Sequence, residues 1–303
     1  GHQYITENEF VAKSKPLLKE IPTKRELRGL KRKLLHVVGR SAGYRPGLFI
    51  VDLQTQNYVS INGNELFPTA SIIKVPILVE LFRNIDKQTT SMVQALRFNK
   101  FHKSSGSGGL QYTPTDRLHT MDYLARIMIQ HSDNSATNIL LDEVGGAGEL
   151  NRSMRSWGIK KGHMVNWLPD LTGTNVMTPK ELARILYNID NNKGFLENYS
   201  KKKIFGYMTK IERRNLIKAG IPSGAAIAHK TGDIRKMVGD AAIVKMPSGK
   251  KVIMVAMIQR PDNAYKAKTM IREASKITFD YFTNQERLLN AHCKRRLNIN
   301  VPR

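Results

Sequence analysis

Three short clusters in this 303-residue chain carry side chains able to do covalent chemistry. The first is Ser71-Ile72-Ile73-Lys74. A spacing of three puts both polar side chains on one helical face, within reach of each other. A serine hydroxyl is a poor nucleophile until a base takes its proton. A lysine amine can be that base if burial and nearby positive charge keep it neutral. A nucleophile at the start of a helix also sits where backbone N–H groups favour developing negative charge. The second cluster is Ser132-Asp133-Asn134. A second hydroxyl there could relay a proton to a leaving group, and the Asn amide could hold a substrate carbonyl. The third is His229-Lys230-Thr231-Gly232. Its lysine and hydroxyl could bind a carboxylate, and its glycine lets a substrate backbone lie against a strand edge. Each has a plainer reading. Ser71 could be a helix N-cap, Ser132-Asp133-Asn134 the cap of the next helix, and the third cluster a strand end before a turn.

The hydrophobic pattern supplies elements to hold these residues. Leu27, Leu30, Leu34 and Val38 recur at helical spacing. Leu48 to Val51 and Tyr58 to Ile61 read as a hairpin. Ala70 to about Ile85 reads as a buried helix, and residues 90 to about 220 are mostly helical, with helices over Met121–Gln130, Ser135–Val144 and Pro179–Ile189. Thr178 before Pro179 predicts a capped start. Ser104 to Gly109 reads as a flexible turn, and Gly145 to Gly148 as a helix C-cap and turn. Strands return at Ala226–Lys230, Asp240–Lys245 and Val252–Gln259, before a last helix from about Asn263 to Phe282. The predicted class is α+β: an antiparallel sheet flanked by terminal helices, with an all-helical lobe beside it. Residues 1–23 read as an N-terminal extension and 24–285 as the main domain. Its α/β lobe is 24–69 and 221–285, its helical lobe 70–220, and 286–303 is a basic tail.

Composition narrows the classes. Hydrophobic residues are 41% and charged residues 24%, which is a globular balance. The single cysteine, Cys293, excludes an internal disulfide and a thiolate metal cluster. None of the eight histidines makes a His-Glu-x-x-His pair, so neither a metal nor another cofactor is expected. The longest apolar runs, such as Val252 to Ile258, are too short to span a bilayer. Gly1-His2-Gln3 reads as a vector-derived remnant, with a native signal or anchor expected ahead of it. The net charge of +24 favours anionic partners, although the basic stretch from Lys24 to Lys33 also fits a solvated helix face. No zinc finger, RNA-binding aromatic motif or basic zipper is present, so nucleic acid is not indicated.

Taken together and in this order, the three clusters resemble the class A β-lactamases and penicillin-binding serine D,D-peptidases. The likeness runs from about Lys24 to Phe282. It includes Gly106-Ser107-Gly108-Gly109-Leu110-Gln111, Thr137-Asn138 and Gly239-Asp240. The resemblance implies a β-lactamase/transpeptidase-like fold. It implies Ser71 as nucleophile, Lys74 as its base, Ser132 as proton shuttle, and Asn134, Lys230, Thr231 and Gly232 as substrate-binding residues. The backbone N–H groups of Ser71 and Asp233 would form the oxyanion hole. An acidic Asp233 departs from the small or hydroxyl residue common in lactamases; its side chain either points away or weakens carboxylate binding.

A second departure bears on the reaction. Class A lactamases use a glutamate to activate the water that hydrolyses the acyl-enzyme. In Asn166-Trp167-Leu168-Pro169-Asp170-Leu171-Thr172 that position holds Leu168, and Thr172 replaces an asparagine that helps hold the water. Asp170, two positions on, is the alternative base. The expectation is therefore a serine acyl-enzyme hydrolase of the D,D-peptidase type. It would act on peptidoglycan stems ending in D-Ala-D-Ala and bind β-lactams covalently with slow release. It would work in the bacterial periplasm or envelope, or be secreted, where an anionic wall polymer or membrane surface would suit its charge. The rivals are a true β-lactamase and a non-catalytic envelope-binding or sensing domain.

Overall fold

The computed structural model describes residues 15–39, 41–213 and 215–299. Its centre is a five-stranded antiparallel sheet in the order β2-β1-β9-β8-β7. The strands are β1 (Arg45–Asp52), β2 (Tyr58–Ile61), β7 (Ala226–Ile234), β8 (Met237–Lys245) and β9 (Lys251–Gln259). Alternation sorts their side chains to two faces. Leu48, Ile50, Val252 and Met254 point into one core with α1 (Arg28–Val38) and the first half of α8 (Lys266–Ile299). Phe49, Val51, Ile253 and Val255 point the other way, into the core of the helical lobe. The α1 stripe is Leu30, Leu34 and Val38, all buried. Each such side chain stabilises the fold by about 1.5–3 kcal/mol.

The helical lobe contains α2 (Lys74–Asp86), α3 (Met121–Gln130), α4 (Asn134–Glu143), α5 (Gly146–Trp157), α6 (Pro179–Asn191) and α7 (Asn198–Met208). Two small ribbons brace it: β3 (Phe67–Pro68) with β6 (Val176–Met177), and β4 (Ala95–Arg97) with β5 (Leu118–Thr120). At the start of α6, Thr178 Oγ1 accepts from Glu181 N, the Glu181 carboxylate accepts from Thr178 N, and Pro179 fills the first turn. That reciprocal cap is what the Thr178-Pro179 pair predicts.

Several expectations need correction. The last helix does not stop near Phe282; α8 continues to Ile299, so the described part of the expected tail from 286 is helical. No proline or glycine interrupts 266–299. Within the part of the N-terminal extension that is described, Leu18 and Ile21 are buried in the helical-lobe core, and Lys19 N donates to Asn188 Oδ1 at 2.7 Å. Residues 1–14 and 300–303 lie outside the described residues. Gly145 is the left-handed entry to α5 rather than only the end of α4.

Candidate active site

Ser71 lies in a 3₁₀ turn, Ala70–Ile73, that leads into α2, and Lys74 is the first residue of α2. The cap of that helix is Ile73, so Ser71 is not spent as a cap. Likewise Asp133, not Ser132, caps α4: its Oδ1 accepts from Ala136 N at 2.8 Å and its Oδ2 from Leu110 N at 2.9 Å. Ser132 is thereby left to face Lys74 and Lys230. Ala70 and Ser132 both hold positive φ, 47° and 53°, which costs a non-glycine residue energy and places that strain beside the reactive groups.

Lys74 Nζ is fully buried and lies 3.0 Å from Ser71 Oγ, 2.9 Å from Ser132 Oγ, 2.7 Å from Ser132 O and 2.9 Å from Asn134 Oδ1. Two of these four oxygens, the Ser132 and Asn134 carbonyls, can only accept. A neutral amine can donate to both and turn its lone pair on the Ser71 hydroxyl. Burial holds the Lys74 ammonium well below its ordinary range; the charge of Lys230 adds to this, Asp133 opposes it and Arg213 reinforces it. The arrangement can therefore take a proton from Ser71.

Lys230 is also buried, and its Nζ reaches Ser132 Oγ at 3.1 Å. Burial pushes its pKa down to about 7, against the pull of Asp240 and with a small push from Arg213. His229 sits under the strand on Asp240, 3.0 Å from Oδ1. The third cluster lies inside β7, not at its end, because the strand runs on to Ile234. β7 is an edge strand, so one side of its backbone is unpaired by any other strand. At Gly232 it passes so close to the nucleophile turn that a Cβ would stand 2.8 Å from Thr69 O.

The glycine-rich segment is not a flexible turn. Asn134 Nδ2 donates to Ser105 O, Asn134 N to Ser107 O, and Gln111 Nε2 to Gly106 O and Gly108 O. Gly108, at φ +94°, lies against Asp133, where a Cβ would meet Oδ2 at 2.3 Å. This segment forms one wall of a cleft of about 400 Å³ that also exposes Tyr112, Ser132, Arg213, Lys230 and Thr231. A second cavity of about 630 Å³ continues past Thr231 along Gly232 and Asp233. Arg213 was not singled out from sequence; it falls in a polar stretch with no motif, and only its place between the two cavities reveals it.

Leu168 lies between Trp167 and cis Pro169, buried in the helical-lobe core. Asn138 fixes it: its Oδ1 accepts from Leu168 N at 3.0 Å and its Nδ2 donates to Leu168 O at 2.9 Å. Asp170 is occupied within its own loop. Its Oδ1 accepts from Thr174 Oγ1 at 2.6 Å and Thr174 N at 3.1 Å, and its Oδ2 from Asn175 N at 2.8 Å. Asp233 is held away from the edge: its oxygens pair with Arg260 Nη2 and with Lys268 Nζ at 3.1 Å.

A family model described as "Beta-lactamase enzyme family" matches residues 29–282. The chain belongs to that family. Among solved structures, PBP-A is 33% identical with a TM-score of 0.85, covering 87% of this chain and 99% of its own. A leucine-to-glutamate variant of PBP-A, solved as an acyl-enzyme complex with penicillin G, matches equally. A β-lactamase of Streptomyces cellulosae is 26% identical over 75% of this chain and 76% of its own. The β-lactamase VEB-1 of Pseudomonas aeruginosa is 24% identical over 80% and 86%. The chain thus has the β-lactamase/transpeptidase fold and is a serine hydrolase of the β-lactamase and penicillin-binding group.

Proposed function

We propose that this family member is a penicillin-binding D,D-peptidase of the bacterial envelope that releases β-lactam-derived acyl groups slowly. Ser71 Oγ attacks the penultimate D-Ala carbonyl while Lys74 Nζ takes its proton. The Ser71 and Asp233 N–H groups receive the oxyanion, and Asn134 holds the substrate amide. Lys230, Thr231 and Gly232 bind the terminal carboxylate. Ser132 passes a proton to the departing D-Ala amine. Water or an acceptor amine then takes the acyl group. The basic surface would suit work beside an anionic wall polymer or membrane.

One observation carries the peptidase preference: Leu168 stands where the resemblance expects the water-activating glutamate, and Asp170, two positions on in the chain, has both oxygens engaged by Thr174 and Asn175. Losing general-base catalysis lowers a rate by typically about 10²–10⁴-fold. The penicillin G acyl-enzyme complex of a PBP-A variant supports covalent β-lactam binding on this fold. The names of the curated relatives favour a second reading, a β-lactamase with another water activator. Time-resolved intact-mass measurement with penicillin G and a D-Ala-D-Ala peptide in parallel separates them. A lasting adduct on Ser71 together with D-Ala release is expected. Rapid multiple turnover of penicillin would select the lactamase, and neither adduct nor turnover would leave a wall-binding role.

A further inference from the structure

An aspartate is an awkward neighbour for chemistry that binds a carboxylate and builds an oxyanion. Asp233 directly follows Lys230-Thr231-Gly232, and its backbone belongs to the strand edge beside Ser71. Its carboxylate meets two cations from separate elements. Arg260 immediately follows β9, and its side chain is only 3% exposed. Lys268 lies in the first turn of α8 and is partly exposed. Arg260 is itself fixed: Nη2 also donates to Ile234 O at 2.9 Å, Nε to Arg235 O at 3.2 Å and Nη1 to Ala264 O at 3.3 Å. Asp233, Lys268, Arg213 and Lys218 border the same 630 Å³ cavity.

We infer that Arg260 and Lys268 are positioning residues that mask the Asp233 charge, so that an anionic substrate can acylate Ser71. The inference rests on the acyl-enzyme reading of this site. Arg260 touches no reacting atom; it acts through Asp233. Charge interactions at a few ångströms are strong where water is scarce, so an unmasked aspartate would repel both the substrate carboxylate and the developing oxyanion.

The test is the second-order acylation rate by penicillin G, read as the Ser71 adduct, with melting temperature measured alongside. Arg260→Met should slow acylation about 10- to 100-fold, up to the range seen when an oxyanion donor is lost. Lys268→Met should slow it only about two- to fivefold, since solvent screens it. The deciding measurement is rescue. Adding Asp233→Asn to either variant removes the charge that needed masking and should bring the rate back to that of Asp233→Asn alone, measured in parallel. An undiminished rate in both single variants overturns the inference. So does a loss that Asp233→Asn fails to recover, because Arg260 would then act only by bracing carbonyls. If Arg260→Met does not fold, the Lys268 pair decides by the same criteria. The readout is ester formation alone, whereas the peptidase preference concerns ester breakdown. Absence of acylation in the unaltered protein would instead sink the acyl-enzyme reading.

Discussion

At the scale of residues, two buried lysines share one hydroxyl. Lys74 must be neutral to take the Ser71 proton, whereas Lys230 must be charged to bind a carboxylate. With Lys230 pushed down to about 7, the acylation rate by an anionic substrate should fall as pH rises through about 7, while burial, which holds Lys74 well below its ordinary range, keeps a neutral base available at lower pH than a free lysine could. A pH profile of penicillin acylation checks this, and an anion-free substrate should lack the alkaline fall. Lys74→Met should leave Ser71 without its base and slow acylation by about 10²–10⁴-fold. Leu168→Glu should speed release of the penicilloyl ester by about 10²-fold or more; an unchanged adduct lifetime would remove the water-activation argument. These residues were legible because the chemistry demands particular types at short spacing. Arg260 and Lys268 were not, since neither belongs to a motif and both act through a residue distant in sequence. Asp170 shows the opposite limit: its type suggested a base, and only its hydrogen bonds show it committed elsewhere.

Elements followed the sequence where local signals agreed with burial. Met121–Gln130 was read to the residue, and the β1–β2 and β8–β9 hairpins were found from their apolar runs and turns, whereas the β7–β8 pairing was not. The two- and three-residue ribbons escaped because so few residues carry no period. The glycine-rich segment misled more instructively. Its composition predicts mobility, yet Gly106 and Gly108 serve close approach to the Ser132-Asp133-Asn134 turn. Gly108→Ala should therefore displace Asp133, cost about 1–3 kcal/mol of strain and lower acylation as well as melting temperature. Thr178→Ala should cost about 1 kcal/mol through the α6 cap while leaving acylation kinetics nearly unchanged, a contrast that calorimetry and mass spectrometry together can read.

For the whole molecule, function draws on stability. The unfolded chain keeps a proton on Lys230 up to the ordinary 10.5, whereas the folded chain gives it up near 7. The unfolded state then binds more protons in that window, so the contribution of Lys230 to stability rises with pH between these values and is unfavourable below them. Lys230→Met should accordingly raise the melting temperature at pH 6 more than at pH 9, while destroying carboxylate binding. The sheet sends one face into the core of the helical lobe and the other against α1 and α8, so the cleft walls are joined by a continuous apolar interior. Prising them apart would expose that interior to water. Ligands must accordingly find an aperture whose width is set at folding, and rapid-mixing traces should contain no slow isomerisation before the covalent step.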